Sequence, residues 1–339
     1  MEFNPHTQKL KCPYCDSEFD VKDYVANHNS SSQGEAVEKP SSEENASSGE
    51  QLYVYSCGSC GGEILATESL GSTKCPFCNN NIVVKEKFTG EFKPDYIIPF
   101  QKTKEDAVEI YRNYVKSKRL VPSVFLEENH IDEIKGVYVP FWLFDGKESF
   151  NGQYEATKIR TWSDAAYNYR ETKYYSVSRA GTESFEKVPC DGSKEMPDDL
   201  MESLEPFDHS KMVPFNMGYL AGFFANKYNV GALECKAHAL KRMDVTTAAD
   251  FRNTISGYTS VMPVSEHCGT VTSSHKYALY PVYMLSTTWN NNNYIFAMNG
   301  QNGRFVGDLP FSIKQALKYY IPIGLIASVV GFICMYLFR

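Results

Sequence analysis

Four cysteines in the first quarter of the chain have the spacing of a zinc site. Cys57, Cys60, Cys75 and Cys78 form the pattern C-x2-C-x14-C-x2-C. The short gap lets both sulfurs of a pair point at one ion, and the long gap accommodates a hairpin that brings the two pairs together. Four thiolates complete the tetrahedral shell of Zn²⁺ and leave no position for water or substrate. The pattern therefore predicts a structural Zn²⁺ site, in preference to four unrelated thiols or two disulfides.

A second and incomplete pair lies upstream of this motif. Cys12 and Cys15 have the same two-residue gap, and His6 is the nearby residue able to add a third ligand. Two thiolates fill only half of the coordination shell of Zn²⁺, so such a site should bind the ion weakly. We predict a second, incomplete metal site at this pair.

The remaining cysteines do not predict a catalytic site. Cys235 and His238 are three residues apart on a predicted helix, where a buried cysteine beside a packed histidine is the simpler interpretation. The other thiols fall in a predicted turn, in a predicted loop beside His267, and in an apolar segment: Cys190, Cys268 and Cys334. The sequence contains no G-x4-G-K-[ST], H-E-x-x-H or G-x-S-x-G motif. We therefore expect a protein that is not an enzyme.

Composition and charge limit the classes of protein that fit. The 339 residues are 42% hydrophobic and 14% aromatic, which is enough for about two domains with a core. The net charge of −7 argues against a general nucleic-acid binder, which would have a basic excess. The first twenty residues are polar where a signal peptide would be apolar. Because zinc-binding thiols must stay reduced, we expect this region to lie in the cytoplasm.

The chain ends in an apolar segment that predicts a membrane span. Residues 319–338 carry no charge, and as a helix they would be about 30 Å long, which matches the hydrocarbon core of a bilayer. Lys314 and Lys318 precede the segment and Arg339 alone follows it, which favours a cytoplasmic N-terminal side. We predict a single-pass, tail-anchored protein of the cell inner membrane that contacts the lipid bilayer through residues 319–338.

The same segment leaves the oligomeric state open. Gly324 with Ser328, and Ala327 with Gly331, have small-xxx-small spacings. Small residues at this spacing let two apolar helices approach closely. A homodimer through the span is therefore one alternative, and a monomer is the other.

These features divide the chain into five predicted segments and give an α+β fold class. A partial zinc-ribbon half is followed by a disordered acidic Ser/Glu linker, a complete ribbon, a mixed α+β domain and one C-terminal transmembrane helix, at residues 1–28, 29–50, 51–92, 93–312 and 319–338. The linker carries five glutamates against one lysine, a composition that cannot bury enough apolar surface to fold.

Local patterns predict the elements of the α+β domain. Thr103, with Asp106 three residues later, predicts the capping box of a helix. An apolar run over residues 137–144 predicts a buried strand, and residues 152–188 predict a strand hairpin. Residues 196–255 have a helical pattern, which from about Gly231 predicts one continuous helix. Alternating residues and Asn/Gly turns over 276–308 predict further strands.

The ribbon and four sequence runs resemble one family of proteins from gut Firmicutes. The runs are PDYIIPF, HIDEIKGVYVPFW, MPDDLM and FAMNGQ, at residues 94–100, 130–142, 196–201 and 296–301. The family is that of TFIIB-type zinc-ribbon-containing membrane proteins, some of which are labelled primosomal replication-restart helicases. The resemblance covers nearly the whole chain and implies a zinc-ribbon membrane protein. A helicase would need the phosphate-binding loop that this sequence lacks.

This chain departs from the family pattern at its start. Members of the family have an additional Cys-x2-Cys upstream of the pair that matches Cys12 and Cys15. Here the chain begins MEFNP, which resembles the middle of that first ribbon. We therefore expect either an internal start or a degenerated first ribbon.

The charge of the complete ribbon favours a protein partner over nucleic acid. Residues 51–93 carry four lysines, four glutamates and no arginine, whereas a surface that follows phosphates needs a positive field. Aromatic residues of a type that stacks on bases are expected to form the small core instead: Tyr53, Tyr55, Phe77 and Phe88. We expect a membrane-tethered, non-catalytic adaptor for an unidentified protein. The alternatives are a transcription- or replication-linked nucleic-acid factor at the membrane, and an enzyme with an unrecognised site in the α+β domain.

Overall fold

The structure is a computed structural model that describes residues 1–23, 52–67, 75–78, 80, 82–87, 93–127 and 134–337. Sheets and helices are mixed along the chain, and the predicted α+β class is confirmed. The predicted linker, residues 29–50, lies outside the described residues, as does Phe88. The division into five segments stays a prediction.

The described strands and helices alternate irregularly along the chain. The strands are β1 (Glu2–Asn4), β2 (Lys9–Lys11), β3 (Glu18–Phe19), β4 (Leu52–Cys57), β5 (Glu63–Thr67), β6 (Ile82–Lys87), β7 (Tyr96–Ile97), β8 (Lys135–Ser163), β9 (Asn168–Asp191), β10 (Val213–Pro214), β11 (Phe224–Asn226), β12 (Ser260–Trp289), β13 (Asn292–Asn299) and β14 (Phe305–Gly307). The α-helices are α1 (Lys104–Ser117), α2 (Asp198–Leu204), α3 (Ala232–Asn253) and α4 (Ile313–Leu337).

The N-terminal strands form a small sheet that is docked on the body of the protein. Its order is β1-β2-β3. The Phe3 amide donates to the carbonyl of Ala221 at 2.9 Å. Phe3, Leu10 and Val21 are buried in one apolar core with Leu220. The upstream pair, Cys12 and Cys15, is therefore held against the body and does not belong to a separate module.

The ribbon strands belong to the large sheet of the protein. That sheet has the order β10-β7-β12-β8-β11-β5-β4-β6, with β9 added to β8, and β13 and β14 added beyond β12. β5 pairs with β11 through Leu65 opposite Ala225 and Ile64 opposite Asn226. β11 in turn pairs in parallel with β8. The hydrogen-bond ladder therefore runs without interruption from the ribbon into the long strands.

Three long antiparallel strands extend beyond the body as an arm. We define the arm as residues 145–163 of β8, 168–187 of β9 and 260–274 of β12. The three strands pair in the order β9-β8-β12 as far as Thr157, and beyond it β8 pairs with β9. Helix α3 packs on one face, where Phe150, Tyr154 and Ala156 are buried. The Phe150 and Phe251 rings stack there with centroids 4.6 Å apart. The alternate residues of β8 are exposed on the opposite face.

Several predicted elements are confirmed, and one helical region is corrected. Thr103 and Asp106 form the capping box of α1 in both directions, and α3 follows Gly231. The prediction for residues 196–255 was wrong in its middle part. Only α2 and α3 are α-helical there, and short 3-10 turns with β10 and β11 lie between them. Proline, glycine and aromatic residues over 205–230 interrupt any helical repeat.

The loop predicted around His267 and Cys268 was also wrong. Both residues lie within β12, paired with Asn151 and Phe150 of β8. Successive side chains of a strand point to opposite faces, so the two residues are separated by the sheet. Cys268 packs on the α3 side.

Helix α4 is a candidate membrane span by length and composition. Most of its apolar window, Ile313–Met335, is exposed. It begins six residues before the predicted start and so includes Lys314 and Lys318. Ser312 explains this earlier start, because its hydroxyl accepts a hydrogen bond from the Gln315 amide at 3.3 Å as a helix cap does.

Candidate metal centre

The first pair of the four-cysteine cluster, Cys57 and Cys60, lies on a tight turn at the end of β4. The Cys57 amide donates to the carbonyl of Gly62 at 3.0 Å, and the Gly61 amide donates to the carbonyl of Cys57 at 2.9 Å. Gly61 has φ of 77°, a conformation that residues with a Cβ rarely adopt. The turn bends the chain so that Cys60 returns toward Cys57.

The second pair approaches the first through the ribbon ladder. The Cys75 amide donates to the carbonyl of Asn80 at 2.7 Å, which closes the second turn. β6 begins two residues later and pairs with β4, placing Ile82 opposite Cys57. The turn before β6 is therefore held beside the turn after β4, as the cysteine spacing predicts.

The four sulfurs form a group that could hold a metal ion. All four Sγ atoms lie within 4.8 Å of one another. Cys57 Sγ is 3.4 Å from Cys78 Sγ, and Cys60 Sγ is 3.7 Å from Cys75 Sγ. These distances exceed the roughly 2 Å of a disulfide. Four sulfurs at zinc-bond length around one centre would be about 3.8 Å apart, so the donor set fits a tetrahedral ion of that size.

The thiols of the cluster differ in burial and in proton affinity. Cys57 and Cys75 are buried, while Cys60 is exposed. Although part of Cys60 is exposed, desolvation of its sulfur raises the pKa of this thiol to about 11, and burial raises the pKa of Cys75 further still. Burial also acts on Cys57, but the amides of Cys60 and Ser59 together with neighbouring sulfurs lower its pKa to about 7. A metal ion must therefore displace protons from at least two of these thiols at neutral pH.

Apolar packing encloses the cluster on the side of the body. Tyr55 and Phe77 are buried in the same core as Cys57 and Cys75, together with Phe141 of β8. Because both rings are in this core, the ribbon does not offer them for base stacking. Lys227 and Glu63 form a half-buried ion pair at 3.1 Å across the junction of ribbon and body. The cluster thus joins secondary-structure elements of the ribbon and of the body.

The turn at the upstream pair, Cys12 and Cys15, has the same pattern of backbone hydrogen bonds as the turn at Cys57 and Cys60. The Cys12 amide donates to the carbonyl of Ser17, and the Asp16 amide donates to the carbonyl of Cys12, both at 3.0 Å. Asp16 has φ of 56° and takes the place that Gly61 has in the ribbon. Cys15 is exposed, and a hydrogen bond to Ser17 lowers its pKa.

His6 is not brought to the upstream pair. Its Nε2 atom lies 3.4 Å from a carboxylate oxygen of Asp106 at the start of α1. Within the described part of the chain, no group of three ligands includes Cys12 or Cys15. The incomplete second site therefore stays a prediction, with its third ligand unassigned.

A cleft of about 440 Å³ lies between α2, α3 and the end of β9. Cys235 and His238 line it, but the Cys235 thiol donates to the carbonyl of Asp191 at 3.1 Å. The Arg242 guanidinium donates two hydrogen bonds to the Glu205 carboxylate, at 2.7 and 3.0 Å. Within the described residues, the groups of this cleft form no metal-binding cluster.

Comparison with known proteins identifies a relative. No protein-family model and no solved structure matches the chain. The uncharacterized protein YdjG of Bacillus subtilis (strain 168) is 32% identical over 238 residues, which is 70% of this chain and 70% of YdjG. Identity at this level over most of both chains shows common ancestry, and the protein belongs to the same family as YdjG.

Proposed function

We propose that this protein is a membrane-tethered adaptor that binds a protein partner on the cytoplasmic side of the cell inner membrane. The observation that carries the proposal is the tip of the arm, residues 158–175. It reaches beyond helix α3 and exposes aromatic side chains, among them Trp162, Tyr167 and Tyr169. Exposed clusters of this kind mark interaction surfaces.

The chemistry of the tip is that of a protein interface. Trp162 and Tyr169 stack across the hairpin, with ring centroids 5.4 Å apart and planes 11° from parallel. The Arg160 guanidinium lies over the Trp162 ring at 5.4 Å. Trp, Tyr and Arg are the residue types that dominate binding energy in protein interfaces. Their mutual contacts hold them in place before a partner arrives, which lowers the entropy cost of binding.

Zinc is the ion that best suits the cysteine cluster. Four thiolates with no open position favour Zn²⁺ in a structural role, and the resemblance to zinc-ribbon membrane proteins supports the same choice. Because β5 pairs with β11, the ion would hold the edge of the large sheet in place. This role requires no reaction at the metal.

The sequence supports the proposed placement in the membrane. Lys314 and Lys318 lie in the first turns of α4, and cytoplasmic flanks carry such positive charges. The cysteine cluster would then face the reducing cytoplasm, where its thiols can bind metal.

Nucleic acid is the second candidate partner, and the charge of the tip favours it. Residues 158–175 carry four basic and two acidic side chains, unlike the neutral ribbon. Aromatic rings next to cations are also the means by which proteins hold single strands. We rank this candidate second because the excess of positive charge is small and the Trp162 and Tyr169 rings stack on each other.

An affinity capture from detergent-solubilised membranes, repeated with tip variants, tests the adaptor. Trp162→Ala with Tyr169→Ala should abolish capture of a protein that the wild type retains. Tyr174→Ala is the matched control, since Tyr174 pairs with Thr157 on the other face of the same hairpin. Equal capture by all three proteins would refute the proposal. Gel shifts with DNA and RNA at low salt decide on the second candidate, because micromolar binding that is lost at moderate salt would support it.

A further inference from the structure

A second group of potential metal ligands lies between helix α3 and the arm. Glu148 of β8, Asp244 of α3 and Cys268 of β12 each place a ligand atom within 4.8 Å of the others. Glu183 of β9 is the direct cross-strand neighbour of Glu148. Three strands and a helix thus bring three carboxylates and a thiol to one place, far in sequence from the ribbon.

The central carboxylate of this group is buried and incompletely bonded. Glu148 is 0% exposed. Its Oε1 accepts a hydrogen bond from the Thr270 hydroxyl at 2.6 Å, whereas its Oε2 has no hydrogen-bond partner among the described residues. The same holds for Oε2 of Glu183 and for the hydroxyl of the fully buried Thr247, also on α3. Buried polar atoms normally have partners, so orphaned oxygens in one region require an explanation.

A neighbouring acid of the arm, Glu266, has hydrogen-bond partners for both of its carboxylate oxygens. Both oxygens of Glu266 accept hydrogen bonds from Arg252 at 2.8 Å, and one of them also accepts from the Tyr154 hydroxyl at 2.7 Å. In contrast, the ionisable groups that act on Glu148 are the acids Asp244 and Glu183. Burial, and then these acids, raise the pKa of Glu148.

Such a group requires a positive charge, because buried like charges repel strongly and an uncompensated buried carboxylate is costly. The compensating charge is either a proton shared between carboxyl groups or a bound cation. A shared proton would leave the Cys268 thiol in its long hydrogen bond to the Asp244 carbonyl, at 3.6 Å. A cation would use the thiol and the orphaned oxygens together.

We propose that Glu148, Asp244 and Cys268, assisted by Glu183, bind a divalent transition-metal ion at a site separate from the four-cysteine cluster. A mixed set of carboxylate oxygens and one sulfur suits a borderline ion such as Zn²⁺, Fe²⁺ or Co²⁺, whereas Mg²⁺ and Ca²⁺ prefer oxygen alone. Asp244 and Cys268 are partly exposed and leave a path by which the ion can enter. The ion would fasten α3 to the arm, and the site does not depend on the adaptor proposal.

Metal analysis of the full chain in detergent, with Zn²⁺ as the probe, tests the site. The wild type should hold about two equivalents, one in each cluster. Glu148→Gln and Cys268→Ser should each lose about one. Glu155→Gln is the matched control and should lose none, because Glu155 is on the same strand with its side chain on the solvent face. A double variant of the ribbon, Cys57→Ser with Cys60→Ser, should retain the second equivalent.

A cobalt spectrum adds a readout that distinguishes binding from folding. In the ribbon double variant, Co²⁺ bound beside Cys268 should give a sulfur-to-metal charge-transfer band that Cys268→Ser abolishes. Should Glu148→Gln fail to fold, Asp244→Asn at the partly exposed position gives the same test. The same zinc content in the wild type, Glu148→Gln and Asp244→Asn, with no cobalt band, would show that a shared proton neutralises the cluster and would overturn the proposal.

Discussion

At the scale of single residues, the cysteine spacing was the most informative feature of the sequence. The spacing alone was enough to predict the cluster of Cys57, Cys60, Cys75 and Cys78. Each pair occupies one local turn, and neighbouring strands join the turns. Which thiols would be buried could not be read in this way. Cys57 and Cys75 are buried in one core with Phe141, which is distant in sequence.

Replacing a buried ligand should release the proposed zinc ion. Cys75→Ser should lower the zinc content by about one equivalent and destabilise the ribbon, since metal binding supplies folding energy to such modules. Atomic emission and thermal melts of the reduced protein measure both effects. Cys15→Ser is the control and should keep that equivalent, because it alters only the incomplete pair. Unchanged zinc in Cys75→Ser would contradict the assignment of these ligands.

The thiol pKa values predict how zinc binding depends on pH. Cys60 has a pKa of about 11 and that of Cys75 is raised further, so both thiols are protonated at pH 7 and must lose their protons to bind. The affinity should therefore fall as the pH falls, by at least about a hundredfold per unit between pH 8 and 6. Calorimetry in buffers of different ionisation enthalpy should show more than about two protons released per zinc at pH 7. Affinity independent of pH would contradict this picture.

Two residues explain why the length of the arm was not predicted. Glu148 and Gly152 occupy inward-facing positions of β8, where alternation would call for apolar side chains. The pattern therefore loses its period just beyond Phe144, and the strand over residues 137–144 and the hairpin over residues 152–188 were predicted as separate pieces. Such departures from local rules concentrate at functional or strained sites, which agrees with the second metal site proposed around Glu148.

At the scale of elements, prediction succeeded where the signal was local. The capping box of α1 needs only Thr103 and Asp106, which are three residues apart. The turn between β12 and β13 needs only Asn290 and Asn291, which both have positive φ. The hairpin of β8 with β9 was predicted over residues 152–188, and the two strands do pair there. The pairing of β8 with β12 was not predicted, because it joins strands about a hundred residues apart and has no local signal.

Helix α3 should act as the clamp of the arm. Phe251 stacks on Phe150 and also covers Gly181, where an added Cβ would come within 2.8 Å of the ring. Phe251→Ala should therefore cost about 2 kcal/mol, below the usual range for a fully buried ring. Hydrogen exchange should quicken in residues 148–156 and 177–183 and stay unchanged in β4 and β5.

The control for this experiment lies on the same helix. Val245 is 63% exposed, so Val245→Ala should leave exchange in the arm unaltered. Faster exchange in the ribbon as well as the arm of Phe251→Ala would mean that the two parts unfold as one unit, and the clamp would not be local.

At the scale of the whole molecule, the ribbon forms an edge of the large sheet and is not a separate module. The pairs between β5 and β11 join residues about 160 apart in the chain. No local sequence pattern indicates a strand partner at that distance. Lys227 reinforces the junction through its ion pair with Glu63. A metal in the ribbon would therefore also steady β11 and, through it, the base of the arm.

The proposed attachment to the membrane depends on α4, the candidate span, and gives the last prediction. Ile326→Lys with Val330→Lys places two charges in the middle of the apolar window, and each should oppose insertion by about 3 kcal/mol. Carbonate extraction should release this variant but not the wild type. The control is Met262→Lys with Val264→Lys, which charges two exposed apolar residues of the arm and should leave the protein in the membrane. Proteolysis of inverted vesicles, but not of spheroplasts, should then cleave the arm. Cleavage in spheroplasts instead would place the thiol cluster outside the cytoplasm, where its cysteines would oxidise, and the proposed orientation would have to be reversed.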